Sequence, residues 1–399
     1  MNKNNRKPWY RRLGRQFSPK ILLEDLFIRI EDNFPKISTA LRYHSHIDVL
    51  GPDDFAETIL RPNKLFEDAF VQSLNHLCGL IPEFDYERLN KMKIPLHLAF
   101  VENAIIHGHI KVPLRSDNGR AFDFEFRNGR YPGRVAWGDV YPLPFYKTTR
   151  IVGDVIFVPR LKNVFHLLME NIVPSVCAIT RRPDLFKKKI TFVTQVNYPA
   201  LTLLSEHLNS IGFQTDIVVV SAIDRIEVER LICARAFAAD SDLNYANAEE
   251  MSVIQRFVDN KIRDIQVPEI CYIARSHTPR RNVLNQKELV DRLASIGIPS
   301  YEFTFNNYLE QIAIFRKAKL IITPHGAALS NLIWSSSGQH ILELFSLNRR
   351  HKLFLHMASQ HDLKYNLLSG SVTSGNDNFN APIEDVINFV QNYRKTISA

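Results

Sequence analysis

Residues 322–345 read ITPHGAALSNLIWSSSGQHILELF: an apolar run, a turn of small residues with a histidine, a helix-like segment and a second apolar run. The first run ends at Pro324, and the motif His-Gly-Ala-Ala at residues 325–328 opens the helix. Short apolar runs on either side of a helical segment are typical of a strand–helix–strand unit. This stretch therefore predicts a parallel sheet with helices on its faces.

The same alternation surrounds this stretch. Before it, EICYIAR, PSYEFTF and KLIITP indicate strands, and NQKELVDRLASIGI and NYLEQIAIFRKA indicate helices. An earlier set, VFHLLMENIVPSVCAIT, KITFVTQV, ALTLLSEHLNSIGF and TDIVVV, alternates in the same way, while residues 104–158 hold short β-like runs separated by turns. We therefore predict an α/β protein with two Rossmann-like halves that face a cleft, and a β-rich N-terminal elaboration. Ligands of such sheets bind beyond the carboxyl ends of the strands.

The net charge of the 399-residue chain is +8, and its location excludes one class of function. Seven of the positive charges lie in residues 1–20, which hold no acid, so about +1 remains for the other residues. A nucleic-acid-binding surface on the folded body is not predicted. In the same segment Trp9, Leu13 and Phe17 share one helical face, which suits contact with an anionic membrane surface. A disordered tail, or a helix docked on the protein, is the alternative.

Other features favour a cytoplasmic protein. There is no apolar run of about 18 residues and no apolar core of a signal peptide in the leader. The four cysteines are far apart and form no Cys-x-x-Cys pair, so free thiols in a reducing compartment are expected. We expect a cytoplasmic location, with peripheral contact between residues 1–20 and the inner membrane as an option that the charge pattern leaves open.

Several candidate site residues lie at predicted strand ends. His325 and Gly326 follow KLIITP, where the free N–H groups of a helix start favour an anionic ligand. Arg275 ends EICYIAR and is followed by Ser276 and, further on, Arg281, so the guanidinium groups can neutralise a diphosphate. Tight helix–strand packing at the first place and a solvated basic loop at the second are the structural alternatives.

Two acids, Glu343 and Glu170, are further candidates for the site. Glu343 lies inside HILELF, and an unpaired carboxylate in a buried strand is costly, so we expect it at the mouth of the strand, accepting hydrogen bonds from a ribose. A salt bridge to Arg349 or Arg350 is the alternative. His166 and Glu170 stand four residues apart on one predicted helix face near the cleft, where such a pair can act as a general base and its partner.

Together these segments resemble glycosyltransferase family 61. The resemblance rests on NVFHLLMENIVP, on YIARS with RRNVLNQKEL, and on YLEQIAIFRKAKLIITPHGAALSNLIWSSSGQHILELF, and covers about residues 150–350. The His-Gly-Ala block with the preceding Gln311 is its most specific part. The chain departs from the family's pattern at Ala328 in place of Gly, Ser330 in place of Thr and Gln286 in place of Glu.

The resemblance implies a GT-B fold and an inverting transfer from a nucleotide-sugar, usually a UDP-sugar, with no metal and no cofactor. It places Gln311, Ala327 and Asn331 with His325 and Gly326 in the donor-binding block, and His166 and Glu170 on the family's His-x-x-x-Asp/Glu pattern, which we take as the catalytic pair. Either member of that pair can be the base. The Gln286 departure puts a charged role at that position in doubt.

On this basis we divide the chain into a basic leader (1–20), an N-terminal α/β domain with a β-rich insertion on the acceptor side (21–245), a C-terminal Rossmann-like domain that binds the nucleotide-sugar (246–380) and a C-terminal helix (381–399). The expected reaction moves a sugar to a hydroxyl of a glycan or glycolipid acceptor, in bacterial capsule or other surface polysaccharide synthesis. A non-catalytic nucleotide-sugar or carbohydrate-binding module and a sugar-nucleotide epimerase are the alternatives.

Overall fold

The computed structural model describes the larger part of the chain after residue 93 and a few short segments before it. The described residues are 49–50, 57–61, 94–108, 114–115, 121–122, 147–160, 164–221, 223–236, 248–275, 280–304, 307–346, 353–374 and 377–398. The predicted basic leader, Ser276, Arg349 and Arg350 lie outside them.

The first sheet contains nine strands in the described part of the chain. They are β1 (Val49–Leu50), β2 (Glu57–Arg61), β3 (Ile94–His107), β4 (Leu114–Arg115), β5 (Ala121–Phe122), β6 (Lys147–Val158), β7 (Lys189–Thr194), β8 (Gln214–Val219) and β9 (Asp224–Ala236). Their order is β1-β5-β4-β3-β9-β6-β7-β8, with β2 beside β3. The strands β9, β6, β7 and β8 are parallel, whereas β3 runs antiparallel to β9. The predicted parallel half is thus joined to an antiparallel β-rich part.

Three long strands of this sheet share a bend. Pairing is interrupted at Asn103 between β3 and β9, and it shifts register around Gly153 between β6 and β9. Both residues have positive φ, 53° and 104°, and the Gly153 N–H donates to Glu229 of the intervening strand at 2.7 Å. A small core joins side chains from both sides of the bend: Ala104, Ile106, Val155, Phe157, Val193, Val220, Ile226, Val228 and Leu231. This core therefore packs residues from both sides of the irregular pairing against each other.

The helices carry the crossovers between strands. They are α1 (Val164–Leu167), α2 (Val173–Arg181), α3 (Pro199–Ser210), α4 (Ala248–Lys261), α5 (Gln286–Ser295), α6 (Tyr308–Lys317), α7 (Leu353–Gln360) and α8 (Ile383–Ser398). A π-helical turn, Leu168–Ile172, joins α1 to α2, and Pro183–Leu185 and Ala327–Trp334 are 3₁₀-helical. The predicted helices are present, with the segment after the His-Gly-Ala-Ala motif wound more tightly than an α-helix.

The second sheet has six strands within the described residues: β10 (Ile270–Ala274), β11 (Ser300–Glu302), β12 (Leu320–Pro324), β13 (His340–Ser346), β14 (Lys364–Ser374) and β15 (Asn378–Asn380). Their order is β11-β10-β12-β13-β14-β15, and all neighbours are parallel except the last pair. The four predicted strands of this half are confirmed, and β14 is a fifth parallel strand that the sequence pattern did not predict.

The two sheets share one large apolar core. Side chains from the first half, among them Leu167 and Leu168, belong to the same buried cluster as Leu329, Trp334 and Phe354 of the second half. A second cluster packs α5 and α8 against the other face of the second sheet. Among the described helices, none combines the length and the apolar character that crossing a membrane requires.

Candidate functional site

A cleft of about 220 Å³ opens between the two halves. The first half lines it with Val164, Leu167, Leu168, Tyr198, Pro199 and Ala200, and the second half with Ile273, Ala274, Arg275, Phe303, Thr304, Tyr308, Gln311, Thr323, Pro324, Gly326, Ala327, Ala328 and Asn331. The second-half residues cluster where β10, β11 and β12 end. The cleft thus lies at the carboxyl edge of the second sheet, where ligands of α/β sheets bind.

The cleft also coincides with the point where the strand order of this sheet reverses. From β10 the chain crosses to β11 on one side and afterwards to β12 on the other. The loops after β10 and β12 consequently separate and leave a crevice between them. Arg275 directly follows β10, and Gly326 lies two residues beyond the end of β12. This topology brings the two sequence-predicted positions to the same crevice.

Arg275 is held through its side chain and through its main chain. Its Nη1 donates to the His325 carbonyl oxygen at 2.8 Å. Its own N–H donates to Gln286 Oε1 at 2.9 Å, and Gln286 Nε2 donates back to the Arg275 carbonyl at 3.0 Å. Burial lowers the pKa of the Arg275 guanidinium from its ordinary value, which still leaves it charged at neutral pH. The glutamine at 286 thus clamps the arginine with one donor and one acceptor, which a carboxylate cannot supply.

Gly326 provides the space in which this guanidinium lies. A Cβ atom on Gly326 would lie 1.9 Å from Arg275 Nη1 and 3.2 Å from Cζ. The φ of 167° is extended, so the need for glycine comes from contact and not from backbone strain. Gly326 was expected to lie beside an anionic ligand; in the structure the Arg275 guanidinium lies next to it.

The side chains of His325 and Glu343 pair with each other and are not among the residues that line the cleft. His325 Nδ1 and Glu343 Oε1 are hydrogen-bonded to each other, and the Tyr365 hydroxyl donates to Glu343 Oε2 at 2.6 Å. Burial and the neighbouring Glu343 carboxylate raise the Tyr365 pKa well above its ordinary value. Only 3% of Glu343 is exposed, so its carboxylate lies inside the sheet and not at the mouth of the strand, and its contact with a ribose stays a prediction.

The main chain around His325 remains close to the cleft. Gly326, Ala327 and Ala328 line it, and the last two open the 3₁₀ helix Ala327–Trp334. The first N–H groups of a helix have no acceptor within the helix, so they are available to an anion. Small side chains at these positions let a ligand approach the backbone.

Gln311 and Asn331 line the cleft and support its floor. Both are almost fully buried. Asn331 Nδ2 donates to Gln311 Oε1 at 3.3 Å and to the Ala328 carbonyl at 3.2 Å. Gln311 Nε2 in turn donates to Asn307 Oδ1 at 2.9 Å and to the Thr304 carbonyl. These amides tie the start of the 3₁₀ helix to the loop after β11.

The structure does not bring Arg281 to the cleft. It has a φ of 60° in the loop before α5, and the next residue, Asn282, donates its N–H to Asn378 Oδ1 at 2.8 Å. That contact ties the loop to β15 at the far side of the sheet. Ser276, which was predicted beside Arg275, lies outside the described residues.

His166 and Glu170 do not lie on a regular α-helix. Glu170 belongs to the π-helical turn Leu168–Ile172, which changes the spacing that an α-helix would give the pair. His166 is half-buried, its ring packs edge-on against Phe165 at 5.5 Å, and its carbonyl accepts from Asn171 Nδ2 at 2.9 Å. The Glu170 side chain lies outside the described part of the structure. From this helix, Val164, Leu167 and Leu168 reach the cleft.

Five lining residues with polar or aromatic side chains were not predicted from the sequence. They are Tyr198, Phe303, Thr304, Tyr308 and Thr323. In the structure Tyr198 follows β7, Phe303 and Thr304 follow β11, Tyr308 opens α6 and Thr323 lies near the end of β12, so their position at the carboxyl edge was the available signal. Burial raises the pKa of Tyr308 well above its ordinary value, so its hydroxyl stays protonated.

Among the described residues, no group of three or more His, Cys, Asp or Glu side chains is arranged to hold a metal ion.

Comparison with known proteins assigns the chain to a family. Residues 136–342, more than half of the chain, match the family model described as Glycosyltransferase 61. No curated protein matches the chain. The match spans the cleft residues of the first half and the Arg275 and His-Gly-Ala-Ala segments of the second. The chain belongs to glycosyltransferase family 61 and is a glycosyltransferase.

Proposed function

We propose that the cleft binds a nucleotide-sugar, and specifically a UDP-sugar, with the diphosphate against Arg275. Of the described residues that line the cleft, Arg275 alone is charged, and this observation carries the proposal. Its guanidinium can form bidentate contacts with phosphate oxygens, and the N–H groups at the start of the 3₁₀ helix add a positive dipole. Both donors lie at the reversal point of the second sheet. The paired sheets and the cleft between them fit a GT-B arrangement.

The proposed reaction inverts the configuration of the transferred sugar. The acceptor hydroxyl oxygen attacks the anomeric carbon while the bond from that carbon to the diphosphate oxygen breaks. A base removes the hydroxyl proton, and the nucleoside diphosphate leaves with both electrons of the broken bond. Arg275 stabilises the charge that develops on the leaving group, so no metal is required for that role. His166 and Glu170 are the candidates for the base.

The acceptor side of the proposal rests on the first half. Val164, Pro199 and neighbouring apolar residues face the donor site across the cleft, and we assign this wall to the acceptor. The proposed acceptor is a glycan or glycolipid in the synthesis of a bacterial surface polysaccharide. Residues 1–20, with seven positive charges, support a peripheral contact with the inner membrane face.

A thermal-shift screen of nucleotides and nucleotide-sugars tests the proposal. A ligand present at about 100 times its Kd stabilises the folded protein by about 2.7 kcal/mol, which gives a measurable rise in Tm. We expect UDP or a UDP-sugar to raise the Tm of the wild type and to have little effect on Arg275→Ala. Arg292→Ala, which removes a cation from the exposed outer side of α5, is the matched control and should respond like the wild type.

Three outcomes separate the alternatives. No shift with any nucleotide, or an unchanged shift in Arg275→Ala, contradicts the proposed donor site. Binding with no release of nucleoside diphosphate under any condition points to a non-catalytic module. Interconversion of a free UDP-sugar without an acceptor points to an epimerase.

A further inference from the structure

Three polar side chains form a chain of hydrogen bonds inside the second sheet. Tyr365 donates its hydroxyl hydrogen to Glu343 Oε2 at 2.6 Å, and Glu343 Oε1 is paired with His325 Nδ1. The three residues are 0%, 3% and 7% exposed. We call this set the buried triad. None of its side chains lines the cleft, although His325 belongs to the motif by which the sequence first indicates a binding site.

The strands fix the geometry of the buried triad. Tyr365 lies in β14, Glu343 in β13, and His325 directly after β12, so three adjacent parallel strands each contribute one member. The His325 N–H donates to the Leu344 carbonyl of β13 at 2.8 Å, which holds the main chain of His325 beside Glu343. Ring and main chain of His325 are therefore both anchored to the neighbouring strand.

The last link runs from His325 to the cleft. The His325 carbonyl oxygen accepts the hydrogen bond from Arg275 Nη1 at 2.8 Å. On the other side, Gly326 has no side chain, which leaves room for the guanidinium in this position. The Arg275 guanidinium is thus bonded to the carbonyl of a residue that is anchored both by its ring and by its N–H.

Stability alone is a weak reason for this arrangement. Burying a carboxylate and an imidazole costs desolvation energy, and well-packed apolar residues often give equal or greater stability at such places. Apolar replacements of the buried triad would, however, leave the His325 main chain without its side-chain anchor. What the polar residues add is the positioning of the next group in this series of hydrogen bonds, the Arg275 guanidinium.

We propose that His325, Glu343 and Tyr365 are positioning residues that orient Arg275 through the His325 carbonyl, and that they do not contact the ligand themselves. This inference rests on the proposed function, because it takes Arg275 as the group that contacts the diphosphate. It differs from the expectation that His325 and Glu343 bind the donor directly. It also assigns a role to Tyr365, which lies outside the segments that resemble the family.

Binding measurements with two probes test the proposal. Uridine and UDP share the nucleoside and differ in the diphosphate, so only UDP affinity should report the orientation of Arg275. We expect Glu343→Gln and Tyr365→Phe to weaken UDP binding by about tenfold, the effect of one charge-assisted hydrogen bond, and to leave uridine binding within about twofold of the wild type. Glu269→Gln and Tyr393→Phe, at the amino edge of the same sheet, are matched controls and should bind both probes like the wild type.

A double-mutant cycle supplies the readout that a merely structural role would not change. In the Arg275→Ala background, Glu343→Gln and Tyr365→Phe should cause no further loss of UDP affinity. Circular dichroism at the titration temperature establishes that each variant is folded, and Tyr365→Phe is the milder change if Glu343→Gln does not fold.

The outcomes distinguish this inference from the proposed function. Additive losses in the cycle, equal losses for uridine and UDP, or wild-type UDP affinity in both folded variants would overturn the positioning role while leaving the donor site intact. Absence of UDP binding in the wild type would instead contradict the proposed function, and the inference with it.

Discussion

Replacing Gly326 by alanine tests how closely the structure positions Arg275. The added Cβ would meet Arg275 Nη1 at 1.9 Å, and ordinary contact begins at 3.4 Å, so the guanidinium must move by about 1.5 Å. This movement breaks its 2.8 Å hydrogen bond to the His325 carbonyl. The atom in the way is the end of a flexible side chain, so the fold can adapt at little cost.

The consequence for function should be much larger than for stability. A displacement of about 1 Å at a catalytic or binding group can cost about 10²-fold in rate. A hydrogen bond to a charged group contributes about 1.5–3 kcal/mol, which is roughly 10- to 150-fold in affinity. We expect Gly326→Ala to lower UDP affinity by about 10- to 100-fold while the free energy of unfolding falls by about 1 kcal/mol or less.

Calorimetric titration with UDP and urea unfolding are the two assays. Arg275→Ala sets the reference for complete loss of the guanidinium. The double variant Gly326→Ala/Arg275→Ala should bind UDP no more weakly than Arg275→Ala alone. UDP affinity equal to that of the wild type in folded Gly326→Ala would show that the position of the guanidinium is not critical for binding, contrary to this prediction. A large loss of stability would show that the clash is not relieved by the side chain.

Further predictions concern the residues around the site and the first half. Gln286→Glu restores the family's usual residue, yet it should lower stability by about 1–2 kcal/mol in urea unfolding, because a carboxylate cannot donate to the Arg275 carbonyl. Arg230→Ala leaves the Asp154 carboxylate, which is 0% exposed, without its bidentate partner and should cost about 3–5 kcal/mol; a loss below about 1 kcal/mol would show that solvent reaches the acid. Burial lowers the pKa of His207 from 6.5 to about 4, so the unfolded chain takes up the proton first and stability should fall as the pH drops from 6.5 to 4, by up to about 3 kcal/mol. His207→Gln should remove that part of the pH dependence, measured as Tm against pH, and an unchanged profile would contradict it.

The location of the site could be predicted because it follows from chain topology. Strand–helix alternation places the ends of β10 and β12 at one edge, and this was enough to bring Arg275 and Gly326 together. The partners of Glu343 could not be predicted in this way, because they depend on the direction of its side chain in β13. Its neighbours two positions away, Ile341 and Phe345, face the large core, so Glu343 shares the buried face and not the mouth of the strand.

The proposed pair His166 and Glu170 shows a different limit of sequence-based prediction. A regular α-helix through His166 and Glu170 was the natural expectation from apolar spacing. Pro174 cannot donate to the carbonyl four residues before it, which is that of Glu170, and its ring crowds this carbonyl. The π-helical turn Leu168–Ile172 accommodates the proline and alters the spacing of the pair. Long-range partners such as Tyr365 and Glu343, which are 22 residues apart, gave no local signal at all.

The central claim is that the diphosphate of a nucleotide-sugar lies between Arg275 and the start of the 3₁₀ helix. A crystal structure of the protein with UDP bound measures this directly. The account predicts phosphate oxygens within about 3 Å of the Arg275 guanidinium and of the Ala327 and Ala328 N–H groups. UDP bound elsewhere, or bound in the cleft with its phosphates turned away from Arg275, would contradict it.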